Sequence, residues 1–120
     1  MRRSGALVMV LVLAAPSIPA GEVDVVDARL TRSPGGTYNA TVTLRHADTG
    51  WEHYADKWDV VAPDGSVLAT RVLYHPHVDE QPFTRSLAGI RIPADVDHVT
   101  VRAHDKVHGY RGKTLRLTLP

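Results

Sequence analysis

Tyr38-Asn39-Ala40-Thr41-Val42-Thr43-Leu44-Arg45-His46 decides the fold class. Tyr38, Ala40, Val42, Leu44 and His46 share one face, and Asn39, Thr41, Thr43 and Arg45 share the other. This two-residue period predicts a strand with one face in a core and one in water. Ser33-Pro34-Gly35-Gly36 just before it is a turn. The preceding segment, Glu22–Leu30, is a strand with a phase slip at Val25-Val26 that predicts a bulge.

Downstream the same period recurs, punctuated every 8 to 12 residues or so, as in a sandwich or barrel. After a long segment, Ala47–Asp56, comes a strand over Lys57–Val61, with Trp58 and Val60 on one face. Pro63-Asp64-Gly65 makes a hairpin into a strand over Val67–His75. His75–Gln81 links it to a strand over Phe83–Ile92, and Pro93–Asp97 turns into Val99–His104. Asp105–Gly112 is the last loop before Thr114–Leu119, where Leu115, Leu117 and Leu119 point inward. Seven strands at these spacings fit an all-β, immunoglobulin-like β-sandwich, with a small barrel as the alternative. The domain is expected over residues 21–120, with Trp58 in its core.

Residues 1–20 read as an address. Arg2 and Arg3 precede the apolar run Ala6–Ala15, and Pro16-Ser17-Ile18-Pro19-Ala20 ends on a small residue. This is the form of a cleaved secretory signal peptide. The run is short for a membrane span, which needs roughly 20 residues. The expected destination is the periplasm or the medium. Cleavage after Ala20 removes both methionines and two of the 14 basic residues, so the net charge turns from +1 to about −1. That balance offers no attraction for nucleic acid or an anionic membrane. The chain has no cysteine, so disulfides, thiolate ligands and a cysteine-linked lipid anchor are not expected. A stable membrane anchor is therefore not expected either.

Loops should alternate between the two ends of the sandwich. The three tight turns fall at one end; Ala47–Asp56, His75–Gln81 and Asp105–Gly112 fall at the other. Six of the seven histidines lie in or beside that second set: His46, His53, His75, His77, His104 and His108. Only His98 lies at the plain end. Asp48, Glu52, Asp79, Glu80 and Asp105 accompany them, with Trp51, Tyr54, Tyr74 and Tyr110. Loops on a rigid scaffold are where binding residues concentrate. Imidazole and carboxylate without sulfur suit Zn, Cu(II), Ni or non-heme Fe. His46 and Asp105 are in register with the apolar faces of their strands, so both should point inward at the mouth of the sandwich. The alternative for Asp105 is that it caps the loop it begins. No HExxH, phosphate-binding loop or nucleophile elbow occurs, and no general base can be named.

The stretch His46-Ala47-Asp48-Thr49-Gly50-Trp51-Glu52-His53, followed by Lys57-Trp58-Asp59-Val60-Val61 and Pro63-Asp64-Gly65, resembles the desulfoferrodoxin or superoxide reductase iron domain. Asp105-Lys106-Val107-His108-Gly109-Tyr110 resembles that family's Cys-x-x-His-Gly segment. The likeness runs from about Tyr38 to Leu119 and implies an immunoglobulin-like sandwich holding one iron ion. It implies ligand positions at His46, His53 and His108, with Asp105 where the family has its axial cysteine. The family's early histidine segment has no counterpart here, and the first histidine pair is one residue wider; His75, His77 or His104 would have to supply the missing ligand. The axial thiolate drives superoxide reduction, so the resemblance implies a redox-type metal site more than that activity itself. The immunoglobulin-like carrier subunits of thiosulfate oxidation are similar in architecture at a greater distance. The rival expectation is a non-catalytic interaction or carrier module, whose loop aromatics Trp51, Tyr54 and Tyr110 contact a protein partner.

Overall fold

The computed structural model describes residues 21–120; the expected signal peptide lies outside the described residues. Seven strands follow one another: β1 (Asp24–Arg32), β2 (Tyr38–Arg45), β3 (Ala55–Val61), β4 (Val67–Val72), β5 (Phe83–Ile90), β6 (His98–Asp105) and β7 (Leu115–Thr118). They form a three-stranded sheet, β1-β2-β5, and a four-stranded sheet, β4-β3-β6-β7. Every pairing is antiparallel, and no helix occurs among the described residues.

The alternation in β2 has the expected consequence. Tyr38, Ala40, Val42 and Leu44 are buried. On the opposite face Thr41 bonds Ser86 across the strands at 3.0 Å, and Thr43 bonds Thr84 at 2.7 Å. Val23, Val25, Ala28, Phe83 and Ile90 complete the first sheet's contribution to the core. Trp58, Val60, Val99, Val101 and Ala103 supply the second sheet's share. Leu115, Leu117 and Leu119 pack on this cluster from its edge. The pairing of β1 with β2 slips between Val25 and Asp27, where the bulge is expected.

The element ends differ from the periodicity in places. β3 begins at Ala55, two residues earlier, because Ala55 already pairs with Asp105 of β6. β4 stops at Val72, short of His75. The Leu73 amide still donates to the Asp56 carbonyl at 2.9 Å, and then the chain leaves the sheet. That departure frees His75 and His77 from strand geometry.

The three tight turns, at Ser33–Gly36, Pro63–Gly65 and Pro93–Val96, close one end, each by a backbone hydrogen bond of 2.9–3.0 Å. The three long loops connect at the other. At one lateral seam the Val25 amide donates to the Lys113 carbonyl at 2.9 Å, and the Lys113 amide donates to Asp24 Oδ1 at 2.8 Å. Gly112 permits that approach, since a Cβ there would lie 1.6 Å from the Val23 carbonyl oxygen. Gly112→Ala must push the two backbones apart. It is expected to cost about 1–3 kcal/mol, as overpacking does. Chemical denaturation checks this, and an unchanged midpoint would mean the seam is not closed in solution.

Candidate metal centre

Strand phase carries His46 and Asp105 into the interior. His46 continues the buried face of β2, and Asp105 continues the face of Val99, Val101 and Ala103; both side chains are fully buried. An ionised carboxylate in that position needs compensation. Asp105 Oδ1 finds it locally, accepting the Val107 and His108 amides at 2.9 and 2.7 Å. The turn is closed by paired backbone bonds between Asp105 and Gly109, with Gly109 at a φ of 69° that glycine adopts readily. Asp105 thus does both things open to it: one oxygen caps the loop, while Oδ2 is buried without a partner.

His53 is presented by a second tight turn. Its amide donates to the Gly50 carbonyl at 3.2 Å, and its carbonyl accepts the Thr49 amide at 3.1 Å. Its ring reaches back over the buried pair. His53 Nε2 lies 3.2 Å from His46 Nε2 and 3.2 Å from Asp105 Oδ1. His46 Nε2 lies 3.8 Å from Asp105 Oδ2. One ligand atom from each of His46, His53 and Asp105 therefore falls within 4.8 Å of the others, a cluster that could hold a metal ion. His108 stands beside it: Nδ1 is 3.3 Å from Asp105 Oδ1, its ring centroid is 5.0 Å from that of His53, and Nδ1 is buried without a hydrogen bond. The His53 and His108 side chains are 14% and 26% exposed, so solvent reaches the cluster from their side.

Asp48 sets the chemistry of His46. Its Oδ1 accepts from His46 Nδ1 and from the Ala55 amide at 3.1 Å, and its Oδ2 accepts the His77 amide at 2.7 Å. Burial pushes this carboxyl up, but the His46 ring and the two backbone donors outweigh it and hold the pKa below the usual 3.8. Asp48 is thus ionised at neutral pH and keeps the proton on His46 Nδ1. With Nδ1 turned to that carboxylate, His46 Nε2 faces His53 and Asp105 and is the ring nitrogen placed to meet a metal. Burial likewise raises Asp105, and the His108 and Val107 amides, with His46 and His108 charge, more than offset it.

The other expected ligands do not converge on this point. His104 neighbours Asp105 on β6, so its side chain leaves on the opposite face. There it meets Asp56 at 2.6 Å and the edge of Tyr110. His77 stacks flat on Phe83, with centroids 3.9 Å apart, and its Nε2 lies 2.9 Å from an Arg85 guanidinium nitrogen. His75 lies against His77 at 4.7 Å. Gln81 ties this loop to the cluster: its side chain accepts the His46 amide and donates to the His77 carbonyl, both at 2.9 Å. Of the three aromatics expected to make contacts, Trp51 is exposed, Tyr54 is buried, and Tyr110 is 37% exposed with the Arg102 guanidinium 4.0 Å from its ring; Tyr74 is exposed as well. The sequence groups Asp48 with the histidines without assigning it a role; its spacing of two from His46, just past a strand end, is the signal for one.

No family model matches the chain, and no solved structure matches it. A protein of Halomicrobium mukohataei named "Putative lipoprotein" is 42% identical over 94 residues, which make up 78% of this chain and 46% of that protein. The chain thus spans about half the length of this relative.

Proposed function

We propose that this chain is an exported, immunoglobulin-like β-sandwich that binds one divalent transition-metal ion at its loop end. The observation that carries the reading is the convergence of His46 Nε2, His53 Nε2 and the Asp105 carboxylate, one oxygen of which is buried without a partner. Two imidazole lone pairs and an ionised oxygen in a mostly buried pocket repel one another unless a proton or a cation joins them. His46, His53 and Asp105 are the ligands, and His108 closes in as the fourth from the solvent side. Nitrogen and oxygen donors of this kind accept iron, zinc or copper, and the resemblance to the superoxide reductase domain favours iron. Such an ion supplies Lewis-acid or one-electron chemistry when bound. Asp48 orients His46 and fixes its tautomer. Export is supported by residues 1–20 and by a relative that bears a lipoprotein's name.

Exposure at the rim favours a protein partner in the same place. Trp51 is 64% exposed, Tyr74 74% and Val107 59%. They come from the three loops that frame the site. The second reading is therefore a carrier or interaction module that docks through this rim.

Protein purified from its native compartment should carry about one transition-metal ion per chain. Calorimetric titration of the apo protein with Zn(II), and with Fe(II) under anaerobic conditions, should show one site. His46→Ala and His53→Ala should abolish it, while His98→Ala, at the far end, should not. Affinity should fall as the pH is lowered, because protons compete with the metal for the ligand atoms. No ion in native protein and no saturable titration would leave the docking module as the function.

A further inference from the structure

Behind the metal cluster, where the edge strands β4 and β5 bring the two sheets together, is a second concentration of charge. A cavity of about 70 Å³ is lined by Arg71, Leu73, Tyr74, His75, His77 and Arg85. Two guanidiniums and two imidazoles thus surround one small space. Glu80 is the one carboxylate paired with either arginine among the described residues: it meets Arg85 at 3.2 Å, and its side chain is 59% exposed.

The positive groups are held in place by their neighbours. Arg71 reaches across the seam, donating from Nε to the Ser86 carbonyl at 3.0 Å and from Nη1 to the Val72 carbonyl. Its Nη2 makes no hydrogen bond among the described residues. Arg85 donates from Nη1 to the Thr84 carbonyl at 2.7 Å and turns Nη2 to His77 Nε2. His77 is clamped on Phe83 and is 5% exposed, so it fixes where that guanidinium points. His75 Nδ1 meets the Pro76 carbonyl at 3.2 Å, leaving its Nε2 available. Burial, and then the charges of Arg85 and His75, hold the His77 imidazole below its usual pKa, in keeping with an excess of positive charge. Preorganised guanidiniums with spare N–H groups are suited to oxyanions, which they bind through charge-assisted and often paired hydrogen bonds.

We infer that the β4–β5 seam binds a small oxyanion, a carboxylate or a phosphate- or sulfate-type group, between Arg71, Arg85 and His75. Glu80 competes for Arg85 from the rim. The site does not depend on metal occupancy, although it shares the His77 loop with Asp48.

The test is a titration of metal-free protein with inorganic phosphate, sulfate and acetate in turn, near neutral pH. It is followed by NMR of the histidine ring and arginine side-chain nitrogens. Saturable shifts centred on Arg71, Arg85 and His75 are expected, with His77 responding through Arg85. Arg71→Gln and Arg85→Gln should each weaken binding about tenfold, the loss of one charged donor. Glu80→Gln should strengthen it by releasing Arg85, and this exposed residue gives a readout that does not depend on folding. Preference among the three ions separates a tetrahedral anion from a carboxylate of a peptide or protein. Linear, unsaturated shifts, or equal affinity in wild type and both arginine variants, would overturn the inference. Since the metal titration is separate, failure of either site leaves the other standing.

Discussion

Asp105→Asn should leave the domain folded and remove most of its affinity for a metal ion. The substitution separates the two tasks of this side chain. An asparagine carbonyl can still accept the Val107 and His108 amides, so the loop cap survives. The negative charge does not survive, nor does the second oxygen, which lies buried without a partner 3.8 Å from His46 Nε2. Sites with four protein ligands bind Zn(II) with roughly 10–16 kcal/mol. One ligand's share is then about 2.5–4 kcal/mol, or about 100- to 1,000-fold in affinity. Calorimetry on the variant checks this, with circular dichroism to confirm the fold. The metal-free variant has a second signature. The Asp105 pKa is held below 3.8 in the native state, so its charge stabilises the fold above that value and the contribution is lost as pH falls through the native pKa. Asp105→Asn removes that component and should flatten the acid limb of the stability curve. Unchanged metal affinity in a folded Asp105→Asn protein would exclude Asp105 as a ligand.

Trp58→Ala should be the most damaging single change to the core, at about 3–5 kcal/mol. The indole is fully buried and is the largest of the fully buried side chains. It stands on β3 directly opposite Ala103 of β6, whose small side chain leaves room for it. Its Nε1 has no hydrogen-bond partner, so the site rewards its apolar bulk and gains nothing from its polar atom. Trp58→Phe should therefore cost much less, about 1–2 kcal/mol: it keeps most of the volume and discards an unsatisfied donor. Urea denaturation of both variants measures the difference. Equal losses would mean that the N–H finds a partner in solution, and a loss under about 1 kcal/mol for Trp58→Ala would contradict its place in the core.

The strands were legible because a half-buried strand writes its environment into every second residue. The run Tyr38–Leu44 and the run Val99–Ala103 are buried on the faces their patterns specify. The inward aim of His46 and Asp105 followed from the same phase, extended to the strand ends. Phase also separates His104 from Asp105, since neighbours on a strand leave on opposite faces, and so removes His104 as a replacement for the missing histidine ligand. Where strands stop was less legible. β4 ends at Val72 and β3 starts at Ala55 because of cross-strand partners far away in sequence, and no local propensity records them.

Composition and residue period carried the all-β class, the strand phases, the lack of cysteine ligands and the gathering of six histidines on one set of loops. Each of these is a local or compositional property. Which of those histidines meet depends on how the sheets pack and where the loops run. His46 and His53 reach Asp105 because β2 and β6, in different sheets, bring their ends to the same mouth, and the Gly50–His53 turn folds over it. His75 and His77 go instead to the β4–β5 seam, where Arg71 and Arg85 from opposite sheets lie near them. The role of Asp48 is of the same kind, since it serves His46, Ala55 and His77 at once. Convergence in space depends on sheet packing and loop path, and those are set by long-range contacts that no single segment encodes.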